Sequence, residues 1–383
     1  MIVNGGFSVE NYVGTYEIQE IQGDLCMISK EIRDDSKAPL KKKRIEDVLN
    51  KDTYLTLKFA NIDIDSNDAI LAFCNQYGLP ISSQLLEEAE DGYHIGGLEV
   101  SEKDYAKYDP YYRHDVMSVS EFRRLVVVVR NALELKTLLE KPPEDCAKMI
   151  PSFLYMLLFS RKYFYNYDAD DPYIQDPCMR FQYRFQHFCA NRVGGSGNGL
   201  TVATCILFYL DYLKHHKFQP TESMEISDYS LPLWGKLVDF LILFVKNGND
   251  AEITEELQLN FTAPLTYGGD SKILYELASA VLCGYINESS LRVSPNLRYQ
   301  NGKIQGDWAI PDLVTGINME LFSMISVDNM VRKCADPSCN HFFLVGKSRI
   351  DKKYCCITCA TRMAKRMQRS RAKEKLGATS KSL

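Results

Sequence analysis

Cys334-Ala-Asp-Pro-Ser-Cys339, followed after fifteen further residues by Cys355-Cys356-Ile-Thr-Cys359, decides how the C-terminal part of this 383-residue chain folds. Two short cysteine groups separated by a loop are what a tetrahedral structural Zn2+ requires. Each group supplies two thiolates from one backbone turn, and the ion draws the two turns together. Asp336-Pro337 favours a tight turn inside the first group. Four ligands must be chosen from five cysteines. Cys356-x2-Cys359 has the commoner knuckle spacing, Cys355-x3-Cys359 is the other choice, and the residues alone leave the third ligand open. His341 lies two residues past Cys339, too near to complete a tetrahedron easily, and reads as a surface histidine. Four thiolates leave no position for water, so a single Zn2+ here is expected to be structural and not catalytic. A module of about 50 residues with so few large apolar side chains is expected to depend on its metal.

The chain continues Ala360-Thr-Arg-Met-Ala-Lys-Arg-Met-Gln-Arg-Ser-Arg-Ala-Lys-Glu-Lys375. At helical spacing Arg362, Lys365, Arg366, Arg369 and Lys373 share a sector of about 100°. Met363 and Met367 lie beside that stripe at i,i+4 spacing, suited to packing on the knuckle. The loop between the cysteine groups adds Lys347, Arg349, Lys352 and Lys353. Residues 331–383 hold 14 Lys/Arg against 3 Asp/Glu, so this end is +11 and residues 1–330, with 31 against 47, are −16. An acidic body with a basic terminal module is the asymmetry expected when one end meets a polyanion. A single-signed helical stripe suits phosphate tracking, with DNA the expected partner and RNA or an acidic protein surface the alternatives. Phosphate contacts position a protein without specifying a base sequence, so no target sequence is read.

Cys334-x4-Cys339, Phe342-Phe343, Ser348-Arg349 and Tyr354-Cys355-Cys356-x2-Cys359-Ala-Thr-Arg362 together resemble the CGNR-type zinc finger of bacterial proteins, over about residues 331–375. That family shows Cys-x4-Cys, a phenylalanine-containing basic loop, an aromatic-Cys-Ser step, and Cys-Gly-Asn-Arg opening a basic helix. Here Ala360-Thr361 replaces Gly-Asn, Cys356 replaces the serine, and three residues separate the second pair where many members have four; Arg362 is kept. The resemblance implies Cys334, Cys339, Cys355 and Cys359 as ligands, with Cys356 the rival, in a DNA-binding transcription regulator. The alternative expectation is an RNA-binding or protein-interaction module on a body with a sensing, stress or defence role.

Upstream, the expected class is α+β: a predominantly helical body with short β-hairpins, then the small zinc module with its basic helix. Residues 1–117 read as a small α/β domain, 118–330 as a mainly helical one, and 331–383 as the zinc module. Residues 8–32 read as a hairpin turning at Gln22-Gly23-Asp24, and Tyr54–Phe59 alternates like a strand. Ser66 is placed to cap a helix over 69–77 that stops at Gly78-Leu-Pro80. Further helices are expected over 120–140, 151–165, 180–191, 200–215, 231–246, 272–284 and 310–325, with a hairpin turning at Asn301-Gly302. The seven other cysteines (Cys26, Cys74, Cys146, Cys178, Cys189, Cys205, Cys283) are scattered singly, as in a reducing, cytoplasmic setting. No leader is read at the N-terminus, and the longest uncharged apolar run, 199–210, falls short of the roughly 20 residues a membrane span needs. Neither Gly194–Gly199, His215-His216 nor Asp168–Asp171 has the spacing of a phosphate loop or metal site, and no catalytic motif is found, so no enzyme is expected.

Overall fold

The computed structural model describes residues 8–12, 14–21, 23–30, 42–45, 54–81, 87–89, 92–95, 98–100, 116–140, 145–160, 201–215, 230–254, 259–261, 263–290, 293–300, 303–310, 312–326, 331–346 and 349–379. In chain order come β1 (Ser8–Tyr12), β2 (Tyr16–Ile21), β3 (Asp24–Ser29), β4 (Lys42–Ile45), α1 (Leu55–Ala60) and α2 (Asn67–Tyr77). Three short strands, β5 (Glu87–Ala89), β6 (Gly92–Ile95) and β7 (Leu98–Val100), precede β8 (Val116–Ser118) and α3 (Val119–Glu140). Next are α4 (Ile150–Phe159), α5 (Val202–His215), α6 (Ser230–Lys246), β9 (Glu252–Ile253), β10 (Leu259–Asn260) and α7 (Ser271–Ser290). The chain ends with β11 (Ser294–Gln300), β12 (Lys303–Ile310), α8 (Leu313–Ser326), β13 (Val331–Lys333), β14 (Phe342–Leu344) and α9 (Ile357–Thr379). The class is α+β, mainly helical with short, mostly antiparallel strand pairs, as the periodicity implies.

Helix α3 is the axis of the body. Phe122, Leu125, Val126, Val129 and Leu133 recur at helical spacing, and Val128, Ala132 and Leu135 widen the apolar face until the helix is buried on most sides. It is described as far as Glu140, and Pro142-Pro143 follow in the sequence. Phe59, Phe73 and Phe122 meet edge-on or tilted around it, with ring centroids 5.2–5.9 Å apart. The resulting core draws on residues from Tyr16 to Phe342 and so runs across positions 117 and 330.

The β2–β3 hairpin forms where it is expected, with Ile21 opposite Asp24 and Gly23 at φ +93°, a value glycine adopts without strain. Strand β1 is not part of it. It pairs in parallel with β12 (Ser8 opposite Ala309) and antiparallel with β4, and the Asn11 amide fixes it by donating to the Tyr77 and Leu79 carbonyls at 2.8 and 2.9 Å. Helix α2 is capped by the Ser66 hydroxyl, which accepts from the Ala69 N–H, and ends at Gly78 with φ +82°. The β11–β12 pairing sets Gln300 opposite Lys303 and so brackets Asn301-Gly302. The helix expected over 180–191, the continuation of 151–165 beyond Ser160, and the segments 168–171 and 194–199 lie outside the described residues.

Tyr54–Phe59 corrects the expectation of a strand: it enters α1. Leu55, Thr56, Phe59 and Ala60 form one buried helical face, and the decisive partner is remote in sequence. The buried carboxylate of Glu320, on α8, accepts from the Leu55 and Thr56 N–H groups at 3.2 and 2.6 Å and from the Thr56 hydroxyl at 2.6 Å. It thereby satisfies the donors left open at a helix N-terminus. Burial raises the Glu320 pKa from 4.5 to about 7, against the hydrogen bonds from Thr56 and Leu55. A carboxyl harder to ionise in the folded than in the unfolded chain adds stability that is complete below pH 4.5 and lost as pH rises through about 7. Relative to Glu320→Gln, the wild type is therefore expected to lose on the order of 2 kcal/mol between about pH 5 and about pH 8, read by urea denaturation. A difference that stays flat contradicts this origin of the shift.

Among the described residues no helix is long and apolar enough to cross a membrane.

Candidate metal centre

The β13–β14 hairpin carries the module, and the alternation of its side chains gives it two faces. Val331, Lys333, Phe342 and Leu344 face the body: Val331 and Phe342 enter the main core, Leu344 packs against it, and Lys333 pairs with Glu134 of α3 at 2.8 Å. Asn61, at the end of α1, reads the Phe342 backbone in both directions, donating to its carbonyl and accepting from its N–H at 2.8 Å each. Phe343 points the other way, into a small second core with Cys334, Val345 and Cys359, flanked by Cys339, Tyr354 and Cys355. Phe342-Phe343 is thus a hinge of two adjacent rings, one for each core.

The first turn is built by Asp336. Its carbonyl accepts from the Cys339 N–H at 2.8 Å, and its Oδ1 accepts from the Ser338 N–H and hydroxyl at 3.1 and 2.8 Å. Two backbone bonds seat this turn against the rest of the module: Cys334 N–H to the His341 carbonyl and Ala335 N–H to the Lys353 carbonyl, both 2.9 Å. The second turn opens α9. The Ala360 N–H donates to the Cys356 carbonyl, so Cys356 stands at the helix entrance, Cys355 just before it and Cys359 in its first turn.

These two turns bring the Sγ atoms of Cys334, Cys339, Cys355 and Cys359 within 4.8 Å of one another. Cys339 and Cys355 are 3.6 Å apart, and Cys355 and Cys359 are 3.7 Å apart. Sulfurs at the corners of a tetrahedron with bonds of about 2.3 Å are about 3.8 Å apart, so the spacing fits a tetrahedral metal. The Cys355 N–H also points at the Cys334 sulfur, at 3.5 Å. Burial opposes ionisation of Cys334, but N–H groups of Cys355 and Asp336, together with the Cys355 and Cys339 thiols, outweigh it and hold that thiol below its ordinary pKa. Burial and the thiols around it push Cys355 up, and burial with the Cys356 thiol lifts Cys359 to about 12. Thiols crowded in this way resist ionising together, and a divalent cation at their centre reverses that preference.

Cys355 is therefore the third member of the cluster. Cys356 is exposed, with its sulfur 3.6 Å from that of Cys359 but outside the converging four. His341 is exposed and contributes its backbone carbonyl.

No family model, curated protein or solved structure matches this chain.

The basic residues divide into two sets. Arg362 donates from Nη1 to Asp336 Oδ2 at 2.8 Å and to the Ser338 hydroxyl at 2.7 Å, and Arg366 donates to Asp336 Oδ1 at 3.3 Å. Lys365 and Arg369 are exposed, as are Arg349 and Lys353 in the loop. Lys352 is half-buried, its Nζ 4.9 Å from the centre of the Phe343 ring, and covers the small core. Lys347 and the side chain of Lys373 lie outside the described residues. Met363 is half-buried, but Met367 is 50% exposed and does not pack as its spacing suggests. Sequence reasoning took Asp336 as a turn former and missed its grip on two arginines 26 and 30 residues away. Nothing in the local pattern signals that contact; the one hint is that Asp336 is among only three acidic residues in a basic module.

Proposed function

We propose that this chain is a zinc-dependent nucleic-acid-binding protein, a cytoplasmic DNA-binding transcription regulator whose C-terminal module is a CGNR-type finger. The all-thiolate, four-sulfur set supports zinc as the resident ion, since such a closed site suits a metal that holds structure and leaves no open position for chemistry. The observation that carries the binding reading is the state of α9. From Ala364 to Arg371 every residue is exposed, and among the described residues no carboxylate pairs with Lys365, Arg369 or Arg371. A helix of 23 residues, about 34 Å long, leaves the knuckle with Lys365, Arg369 and Arg371 exposed along it. Polyanions are the partners that such a surface fits, and the repeated charge of a phosphate backbone matches a stripe running along one helix.

Metal analysis of the full chain is expected to find one zinc per chain. Titration with mixed-sequence duplex DNA is expected to show affinity falling steeply and linearly on a log–log plot against salt. Parallel titrations with RNA and with an acidic polypeptide separate the alternatives: tighter binding to either displaces DNA as the partner. Undetectable binding to DNA at low salt overturns the proposal.

A further inference from the structure

We propose that Asp336 is a positioning residue: it holds Arg362 and Arg366 as a fixed pair and so builds a site for one backbone phosphate, a role that rests on the nucleic-acid reading above. The geometry begins with burial. The Asp336 side chain has no exposure, whereas those of Arg362 and Arg366 are 43% and 47% exposed. The two arginines are four residues apart, neighbours on one face of α9. Each directs Nη1 at the same carboxylate, Arg362 to Oδ2 and Arg366 to Oδ1. A guanidinium has five N–H donors in a rigid plane, so binding through Nη1 leaves other donors of both groups available on the exposed side.

Charge and order then point the same way. Two guanidinium groups on one carboxylate leave a local excess of one positive charge, which a phosphodiester oxygen pair neutralises. The buried anchor has already restricted two side chains that would otherwise lose rotamer freedom on binding, and preordering of this kind is a source of affinity. The Ser338 hydroxyl, bound to both Asp336 and Arg362, locks the arrangement further.

The site also belongs to the metal. Asp336 sits in the turn of the first two cysteines, and both arginines follow the second two, so the pair meets its anchor when the four sulfurs are drawn together. Removing the ion separates the carboxylate from the helix it orders.

The test uses the full-length chain and a mixed-sequence DNA duplex. Asp336→Asn deletes a negative charge from a basic module, so charge alone would tighten binding. Positioning requires the opposite: affinity about tenfold weaker, with one metal per chain retained. The slope of log affinity against log salt is expected to fall by about 0.9, the loss of one phosphate contact, a change that altered stability by itself does not produce. Arg362→Lys with Arg366→Lys keeps both charges but removes the fork that can hold Asp336 and a phosphate together, and about a tenfold loss is expected again. Undiminished affinity in Asp336→Asn with its metal in place overturns the role of Asp336 while leaving the nucleic-acid reading intact. If Asp336→Asn loses its metal, the lysine pair decides, and wild-type affinity in that variant overturns the proposal. A wild-type chain that binds no nucleic acid overturns the reading beneath it.

Discussion

Cys355→Ser is expected to abolish metal binding and melt the C-terminal turns, whereas Cys356→Ser, one residue further on, is expected to bind one metal per chain. The asymmetry comes from which way two neighbouring thiols point. Cys355 stands 3.6 and 3.7 Å from the sulfurs of Cys339 and Cys359, while the Cys356 side chain is exposed at the helix entrance. A structural zinc in a small module contributes about 10–16 kcal/mol of apparent folding free energy, and loss of one thiolate forfeits most of it. Unfolding should stop at the hairpin. Val331 and Phe342 lie in the body core, and Asn61 holds the Phe342 backbone, so β13 and β14 stay in place without the ion. Amide hydrogen exchange checks both halves of this: protection lost over 334–341 and 354–371, and kept at 331–333 and 342–344. Equal metal content in the two serine variants contradicts the assignment.

Reversing two charges on α9, Lys365→Glu with Arg369→Glu, should weaken DNA binding about a hundredfold or more at low salt and reduce the salt slope by about two. These positions carry the test better than Arg362 or Arg366, which are bound to Asp336. Their loss leaves the module's fold alone: both are exposed, and among the described residues neither is in an ion pair. Arg349→Glu with Lys353→Glu, on the loop, extends the same measurement to the other exposed basic surface. A loss confined to α9 limits the contact to the helix, and a comparable loss on the loop widens it. Unchanged affinity in the α9 variant contradicts the proposed interface.

What could be read from the residues alone depended on how local the cause was. The Ser66 cap and the Gly23 turn are decided within a few positions, and both form as expected. The four-cysteine cluster was legible because its spacing is short and its chemistry narrow; the choice between Cys355 and Cys356 came from a resemblance, and the sulfur geometry agrees with it. Tyr54–Phe59 misled because its helix is completed by Glu320, some 264 residues away, and alternation over six residues could not register that partner. Strand β1 misled for the same reason, since it pairs with β12 and leaves the adjacent hairpin to form without it. The arginines of the basic stripe looked alike in sequence, and only the fold separates those bound to Asp336 from those left open.

The most direct measurement is the affinity of the full-length chain for a DNA duplex before metal removal, after chelation, and after zinc is returned. A metal-ordered module that presents a basic helix predicts strong loss on chelation and recovery with about one equivalent of Zn2+. Binding that is unchanged by removal of the metal contradicts it.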